Sequence, residues 1–178
     1  MKVESTEVEK LLCGFKDGNE GDFDRLYTYT KDLLYYFAFS ITRDRQIAED
    51  VVQETFVKIY RGAGGYRPKT SALSWMLKIT KNAAIDENEK RPAIVVKESV
   101  IGCKSHEFAV TGTLFVDFVL GHLKKPLRQV VVMHLYGEYT YPEIAEILGI
   151  SASAAEWRYR TAMKKLRALL EKEGVRCE

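Results

Sequence analysis

The sequence has few of the residues that mark disulfide-rich or metal-binding proteins. Its 178 residues include only three cysteines, and Cys13, Cys103 and Cys177 are far apart and form no C-x-x-C pair. An odd number of widely spaced cysteines indicates neither a disulfide framework nor a zinc site. This usage fits a reducing compartment, and we place the protein in the cytoplasm.

Long apolar runs are also missing. No stretch approaches the ~18 apolar residues of a membrane-spanning helix. The N-terminal segment MKVESTEVEKLL contains acidic residues and no apolar core of signal-peptide length. We therefore expect a soluble, intracellular protein without membrane insertion.

The sequence contains no pattern typical of an enzyme. Its histidines, His106, His122 and His134, are scattered and lack the paired spacing of metal ligands. It has no glycine-rich phosphate loop, no G-x-S-x-G motif and no coherent carboxylate pair. We therefore predict no catalytic residue, no bound metal and no cofactor, and we interpret His134, on an apolar helix, as a core residue.

Composition and charge predict a folded protein with one basic segment. Hydrophobic residues make up 46% of the chain and charged residues 29%, which is enough to bury a core. Residues 151–170 contain five basic residues and a single acid, Glu156. Such a segment can neutralise DNA phosphates. The ordinary alternative is a solvated helix end that complements the helix dipole.

The first half has the apolar spacing of amphipathic helices and no strand alternation. One helix is predicted over 22–41, and a second follows the N-cap Asp44 and ends before Gly62. Ser71 caps a third helix that runs to about Glu89. With a short helix near the N-terminus, these make a compact bundle. We predict an all-α protein whose first domain covers residues 1–90.

Residues 91–113 show no sustained period, and we predict a flexible linker there. The apolar run at 93–96 leaves open a short strand or a segment that docks on a partner. Residues 114–178 are predicted to form a second helical domain. In its first clear helix, the inward positions are Leu127, Val130, Val131 and Leu135.

The second domain carries the pattern of a helix-turn-helix. Thr140 and Glu143 form a capping box, Gly149 ends a short helix in the left-handed conformation, and Ser151 caps a long last helix. On that last helix the basic residues recur at helical spacing on one face: Arg160, Lys164 and Arg167. This face can lie against DNA phosphates.

Three segments resemble a known family. The segment 45–60, RQIAEDVVQETFVKIY, looks like the AEDxxQExF motif of sigma region 2, and 75–86, WMLKITKNAAID, resembles the WLxxIAxNxxxD segment that follows it. The segment 139–151, YTYPEIAEILGIS, is similar to the SYxEIAxxLGIS of sigma region 4. The chain therefore resembles the RNA polymerase sigma factors of the sigma-70 family. Its short length, with only a linker between the two regions, resembles the extracytoplasmic-function (ECF) group.

The resemblance implies a fold and a function. Two small helical domains, region 2 at 1–90 and region 4 at 114–178, are joined by the flexible linker. The protein binds core RNA polymerase and promoter DNA, directs promoter-specific transcription initiation and is controlled by an anti-sigma factor. The competing interpretation is a helix-turn-helix DNA-binding regulator that acts without joining the polymerase, but it leaves the two region 2 segments unexplained.

The resemblance also implies roles for individual residues. The core-polymerase-binding residues are Asp50, Gln53, Glu54 and Lys58. The minus-ten DNA-binding residues are Tyr66, Arg67, Lys69, Ser71, Trp75, Lys78, Lys81 and Asn82. The minus-thirty-five DNA-binding residues are Ser151, Ser153, Trp157, Arg158, Arg160, Thr161, Lys164 and Lys165. For Trp75 we prefer the alternative of a core anchor.

The sequence departs from the family pattern in two places. Glu87-Asn88-Glu89 stands where related sequences are densely basic, which weakens phosphate attraction. Ala154, Ala155 and Glu156 stand where a Thr-Val-Lys type run is common, which removes a hydroxyl and a positive charge. The irregular linker also predicts that the free protein samples several arrangements of its domains. We expect one of them to hide the basic helix and to be stabilised by the anti-sigma partner.

Overall fold

The computed structural model describes residues 3–68, 71–90, 120–135 and 137–172, and its regular elements in these ranges are helical. They are α1 (Ser5–Lys16), α2 (Glu20–Thr42), α3 (Arg45–Gly62), a 3-10 turn (Ala63–Gly65), α4 (Ala72–Lys90), α5 (Lys125–Leu135), α6 (Tyr141–Leu148) and α7 (Ala152–Lys172). The predicted all-α class is confirmed. The predicted linker at 91–113 lies outside the described residues, and the domain boundaries at 90 and 114 stay predictions.

Side-chain caps begin α3 and α4 where the sequence predicts them. The Asp44 carboxylate accepts a hydrogen bond from the backbone N–H of Ile47 at 3.0 Å. The Ser71 hydroxyl oxygen accepts from the backbone N–H of Ser74 at 3.2 Å. Each bond satisfies a donor that the first helical turn leaves free, which typically stabilises a helix by about 1 kcal/mol.

The four N-terminal helices form a bundle around α2, which contacts α1, α3 and α4. Its fully buried side chains include Leu12, Leu26, Leu33, Leu34, Phe37, Ile59, Leu73, Met76 and Leu77. Burying each side chain of this kind contributes about 1.5 to 3 kcal/mol. Residues 36–42 of α2 are all buried, although an amphipathic helix usually buries one stripe. This happens because α5 packs on α2 as well.

Helix α5 is buried along most of its length because it contacts both α2 and α7. Residues 127–133 are all buried, but Leu135 is 53% exposed, so its predicted inward position is wrong. The chain turns back after α5, and the backbone N–H of Tyr139 donates to the carbonyl of Met133 at 3.2 Å. As a result, Tyr139, at 3% exposure, is the side chain buried at this end of the helix.

The predicted helix-turn-helix is formed by α6, a tight turn and α7. The Glu143 carboxylate accepts from the backbone N–H of Thr140 at 2.8 Å, which is the return bond of the capping box. Gly149 ends α6 with φ 71°, a conformation that costs residues with a Cβ roughly 1 to 2 kcal/mol. The Ser151 hydroxyl accepts from a first-turn N–H of α7 at 3.1 Å. These local predictions are confirmed.

The N-terminal bundle and the helix-turn-helix touch directly. We call their contact region the joint, which consists of the contacts of α2 with α5 and of α4 with α6. Arg43 ends α2 with φ 60°, and its guanidinium donates to the carbonyl of Gly121 at 3.2 Å. The structure thus describes one arrangement of the two halves, which we call the closed arrangement.

Candidate functional site

A polar strip runs along α3 at the positions predicted to bind the polymerase. Asp50 and Gln53 are exposed, and Glu54 and Lys58 are partly exposed. The Lys58 ammonium lies 2.8 Å from the Glu54 carboxylate, and each of these two side chains is 41% exposed. The spacing of three and four residues places all four side chains on one side of the helix.

An exposed aromatic patch adjoins this strip and was missed in the sequence. Val57 and Tyr60, which follow Gln53 at helical spacing, are 48% and 54% exposed, and Tyr27 of α2 is 42% exposed. The Tyr27 ring packs on Phe56 with centroids 4.7 Å apart. The available signal was that Val57 and Tyr60 fall outside the apolar stripe of α3. Apolar side chains that remain on the surface at such positions are candidates for contact with a partner.

The loop before α4 is tied to α1. Tyr66, one of the predicted minus-ten residues, is only 3% exposed. Its hydroxyl donates to Glu9 Oε2 at 2.6 Å, and the same oxygen accepts from the backbone N–H of Ala72 at 3.0 Å. Glu9 therefore fixes the loop and the start of α4 together. Arg67 is exposed, whereas Lys69 lies outside the described residues.

Trp75 packs beside this loop. Its ring lies 5.2 Å from the Tyr66 ring between centroids, and a side chain at Gly62 would touch the Trp75 ring at 3.7 Å. Trp75 is partly buried. This environment favours the role of a packing anchor over that of a free stacking platform.

Two of the predicted minus-ten residues of α4 contact the helix-turn-helix. The Lys78 ammonium lies 3.2 Å from the Glu146 carboxylate, and Lys81 Nζ donates to the carbonyl of Ile147 at 3.2 Å. Both partners belong to α6. Asn82 is exposed. Two lysines predicted to contact DNA are therefore engaged by the first helix of the helix-turn-helix.

Tyr139 completes this contact from the chain segment before α6. Burial raises the pKa of its hydroxyl, and the Ser74 and Ser71 side chains partly oppose that rise, although the hydroxyl forms no hydrogen bond within the described residues. Ser71 Oγ also lies 3.1 Å from Ser5 Oγ. The joint thus includes Ser71, another predicted minus-ten residue.

Arg128 is the unusual residue of the joint. Its side chain is 1% exposed, and its Nε and Nη1 have no acceptor among the residues that the structure describes. Burial, followed by the nearby Arg43 guanidinium, lowers the pKa of Arg128 to about 10. Burial also lowers the pKa of Lys125, with further contributions from Arg128 and Lys81. The joint therefore holds several cations close together, and one of them is buried without full pairing.

The outer face of α7 is open. Buried Ala155, Ala162 and Leu166 hold the helix against its neighbours. The predicted minus-thirty-five residues lie at exposed positions (Ser151, Ser153, Trp157, Arg160, Lys164 and Lys165) or partly exposed positions (Arg158 and Thr161). Trp157 is 64% exposed. A further acid on this helix, Glu156, pairs with Arg160 at 2.7 Å.

The described ranges contain neither a candidate metal site nor a membrane-spanning helix. Among the residues placed there, no group of three or more His, Cys, Asp and Glu side chains could hold a metal ion. None of the helices assigned in those ranges is long and apolar enough to cross a membrane. His134 stacks on Tyr141, and its Nδ1 donates to the carbonyl of Tyr139 at 2.8 Å, so it joins α5 to α6.

Comparison with known proteins agrees with this geometry. The family model for sigma-70 region 2 matches residues 26–91, and that for sigma-70 region 4 matches residues 116–166. The chain is 26% identical to the ECF RNA polymerase sigma factor SigK of Mycobacterium tuberculosis H37Rv, an alignment that covers 94% of this chain and 95% of that protein. SigK of Mycobacterium sp. strain JLS is 24% identical, with 93% and 92% covered.

Two solved structures are also similar. CnrH in complex with the cytosolic domain of CnrY matches with a TM-score of 0.66 and 26% identity, over 93% of this chain and 98% of that one. The sigma factor RpoE of Bartonella quintana, in complex with the anti-sigma factor NepR, matches in fold with a TM-score of 0.65 and 18% identity, over 84% and 97%.

The chain belongs to the sigma-70 family of RNA polymerase sigma factors, and within it to the ECF group. It binds core RNA polymerase and directs promoter-specific transcription initiation. The interpretation as a regulator that acts without the polymerase is not supported, because region 2 is present as well as region 4.

Proposed function

We propose that the strip of Asp50, Gln53, Glu54 and Lys58 on α3 is the surface that binds core RNA polymerase. The strip is exposed, and charged residues on it are available for complementary contacts. The adjoining aromatic patch of Tyr27, Val57 and Tyr60 extends the same surface with the apolar area that specific interfaces need at their centre. The protein acts in the cytoplasm with the polymerase and performs no catalysis of its own.

We also propose that different helices contact the minus-ten and minus-thirty-five elements of the promoter. The loop before α4 and the lysines of α4 contact the minus-ten element, where cations pair with phosphates and rings can stack on unpaired bases. The outer face of α7 contacts the minus-thirty-five element in the major groove. The exposure of the basic residues of α7 supports this second assignment.

We also propose that the closed arrangement takes part in regulation. Lys78 and Lys81 are engaged by α6, so contact of these cations with DNA competes with the joint. The related CnrH and RpoE structures are complexes with CnrY and with the anti-sigma factor NepR. By analogy, an anti-sigma partner of this chain binds the closed arrangement more tightly than the open one, because only differential affinity can shift such an equilibrium.

Transcription in vitro with core polymerase tests the main proposal. Adding the chain to core enzyme should produce starts at defined promoters, and the chain should bind core tightly but free DNA weakly. The reverse pattern of affinities would contradict it. For the closed arrangement, distances between labels on α2 and α7 should be short in the free protein and longer with polymerase. A single narrow distance that is the same in both states would contradict the opening of the joint.

A further inference from the structure

The ion pair between Glu156 and Arg160 has no evident role in stability. Arg160 Nη2 lies 2.7 Å from Glu156 Oε1, and the two side chains are 77% and 41% exposed, with Arg160 the more open. Exposed pairs one helical turn apart contribute little to folding, because water and salt screen them. The acid also lowers the positive charge of the helix face that is proposed to meet DNA. Its presence there needs another explanation.

The position of the pair on α7 supplies one. Ala155 and Ala162 are completely buried, which fixes the rotation of the helix about its axis. Arg160 and the 64% exposed Trp157 consequently face outward, and Glu156 lies at the edge of the same surface. Glu156 and Arg160 occupy the first half of α7 (Ala152–Lys172), and a recognition helix contacts base edges with its N-terminal residues.

The chemistry of the pair suits base edges better than phosphates. A guanidinium has five donors in a planar fork, and the contact with Glu156 uses only one nitrogen. The remaining donors, held in one orientation, match the O6 and N7 acceptors of guanine. The second carboxylate oxygen can accept from the N4 amino group of cytosine. A phosphate would instead be repelled by the carboxylate.

We propose that Glu156 is a specificity-determining residue for the upstream promoter element, where it orients Arg160 on a guanine edge. The proposal rests on the proposed role of α7. Glu156 weakens the general attraction of α7 for DNA and holds the Arg160 guanidinium in one orientation, which restricts it to one base position. Because the guanidinium is already oriented, it loses little conformational freedom on binding. The acid that departs from the family pattern thereby gives this chain its own promoter preference.

Holoenzyme assembled from the full chain and core polymerase provides the test, with selection from a promoter library randomised in the upstream element. Glu156→Ala should relax the preference for guanine at one position by about 5- to 150-fold. Arg160→Lys, which keeps the charge but loses the fork, should relax the same position. Glu156→Ala should also bind unrelated DNA more tightly. Glu171→Ala, which removes an exposed acid farther along α7, is the matched control and should leave the base preference unchanged.

Two outcomes would overturn the inference in distinguishable ways. If Glu156→Ala changed affinity equally for all sequences while the wild-type chain kept a clear upstream preference, the ion pair would be a surface contact only. If the wild-type holoenzyme had no upstream preference at all, the proposed role of α7 would be wrong, and this inference with it. Glu156→Gln guards against loss of folding, since it keeps an acceptor for Arg160 and should relax the preference only partly.

Discussion

The two proposed DNA-binding surfaces differ in the closed arrangement. On α4, Lys78 and Lys81 are engaged by α6, whereas on α7 the basic face is open to solvent. The sequence led us to expect a closed form that hides the basic helix, and the structure shows a different one. The reason is that α7 uses its small inward residues to pack on α5 and α6. In this arrangement the lysines proposed to contact the minus-ten element pair with α6, whereas the face of α7 proposed to contact the minus-thirty-five element remains accessible.

The largest effect is expected from variants on α3, because both proposed DNA-binding surfaces act only when the protein is bound to core polymerase. Asp50→Arg with Glu54→Arg should abolish core binding, because it reverses two exposed charges on the proposed interface while arginine keeps good helix propensity. Both DNA surfaces would then be inactive in transcription although neither is altered. Pull-down with core polymerase measures this. Asp32→Arg with Glu171→Arg makes the same charge change elsewhere and should bind core normally. Unchanged core affinity with intact helicity would contradict the assignment of α3.

The next largest effect is expected on the stability of the joint, where α6 engages the lysines of α4. Arg128→Met should tighten the joint by about 1 to 3 kcal/mol, because it removes a buried cation whose Nε and Nη1 have no acceptor in the described part of the chain. Since the pKa of Arg128 in the closed arrangement is lowered to about 10, its charged form opposes closure at any pH below that value.

Thermal unfolding and core-binding rates measure the outcome for Arg128→Met. The midpoint of unfolding should rise and core binding should slow, while Gln129→Met, a change at the neighbouring buried position, should have a smaller effect on both. A lower midpoint than that of the wild-type chain would show that the Arg128 charge is compensated in the joint.

A smaller effect is expected on the open surface alone. Arg160→Ala and Lys164→Ala should weaken use of the minus-thirty-five element without impairing core binding. Each lost phosphate contact should lower the slope of log affinity against log salt by about one unit, and a lost base contact should cost roughly 1 to 3 kcal/mol. Salt titration of promoter binding by the holoenzyme measures both. If neither variant altered the dependence of promoter use on the minus-thirty-five element, the assignment of α7 would be refuted.

The smallest effect should come from loosening the joint at its edge. Glu146→Lys replaces the ion pair with Lys78 by a repulsion, but the pair is exposed, so the open population should rise by no more than about fivefold. Label distances between α2 and α7 would report the shift. Glu7→Lys disrupts the pair of Glu7 with Arg25, whose side chains are 32% and 62% exposed, away from the joint, and should leave the distances unchanged. Equal shifts in both variants would mean that the Lys78 contact does not hold the joint closed.

The features that could be predicted from the sequence are those determined by local interactions. Asp44, Ser71, Gly149 and the Thr140–Glu143 box act within a few residues along the chain, and each forms its predicted bond or conformation. The roles of the predicted site residues depend on partners and stay predictions. Their exposure, however, could be foreseen from helical spacing on α3 and α7.

The joint could not be predicted, because it depends on residues far apart in sequence. Arg128 lies among apolar residues of α5, and nothing in its spacing indicates that α2 would bury it. The engagement of Lys81 by Ile147 likewise joins residues separated by 66 positions. Leu135 was misplaced for the same reason: the helical pattern continues to it, but the returning chain fills the interior with Tyr139.

The double role of Glu9 bears on how fragments of this protein should be made. The match to sigma-70 region 2 begins at residue 26, after α1 and the first part of α2. A fragment that started there would lack the carboxylate that receives both the Tyr66 hydroxyl and the Ala72 amide. Those two donors would have to find water instead, and the loop beside Trp75 would lose its anchor. An expression boundary drawn from the region 2 match alone would therefore remove part of the scaffold of the proposed minus-ten surface.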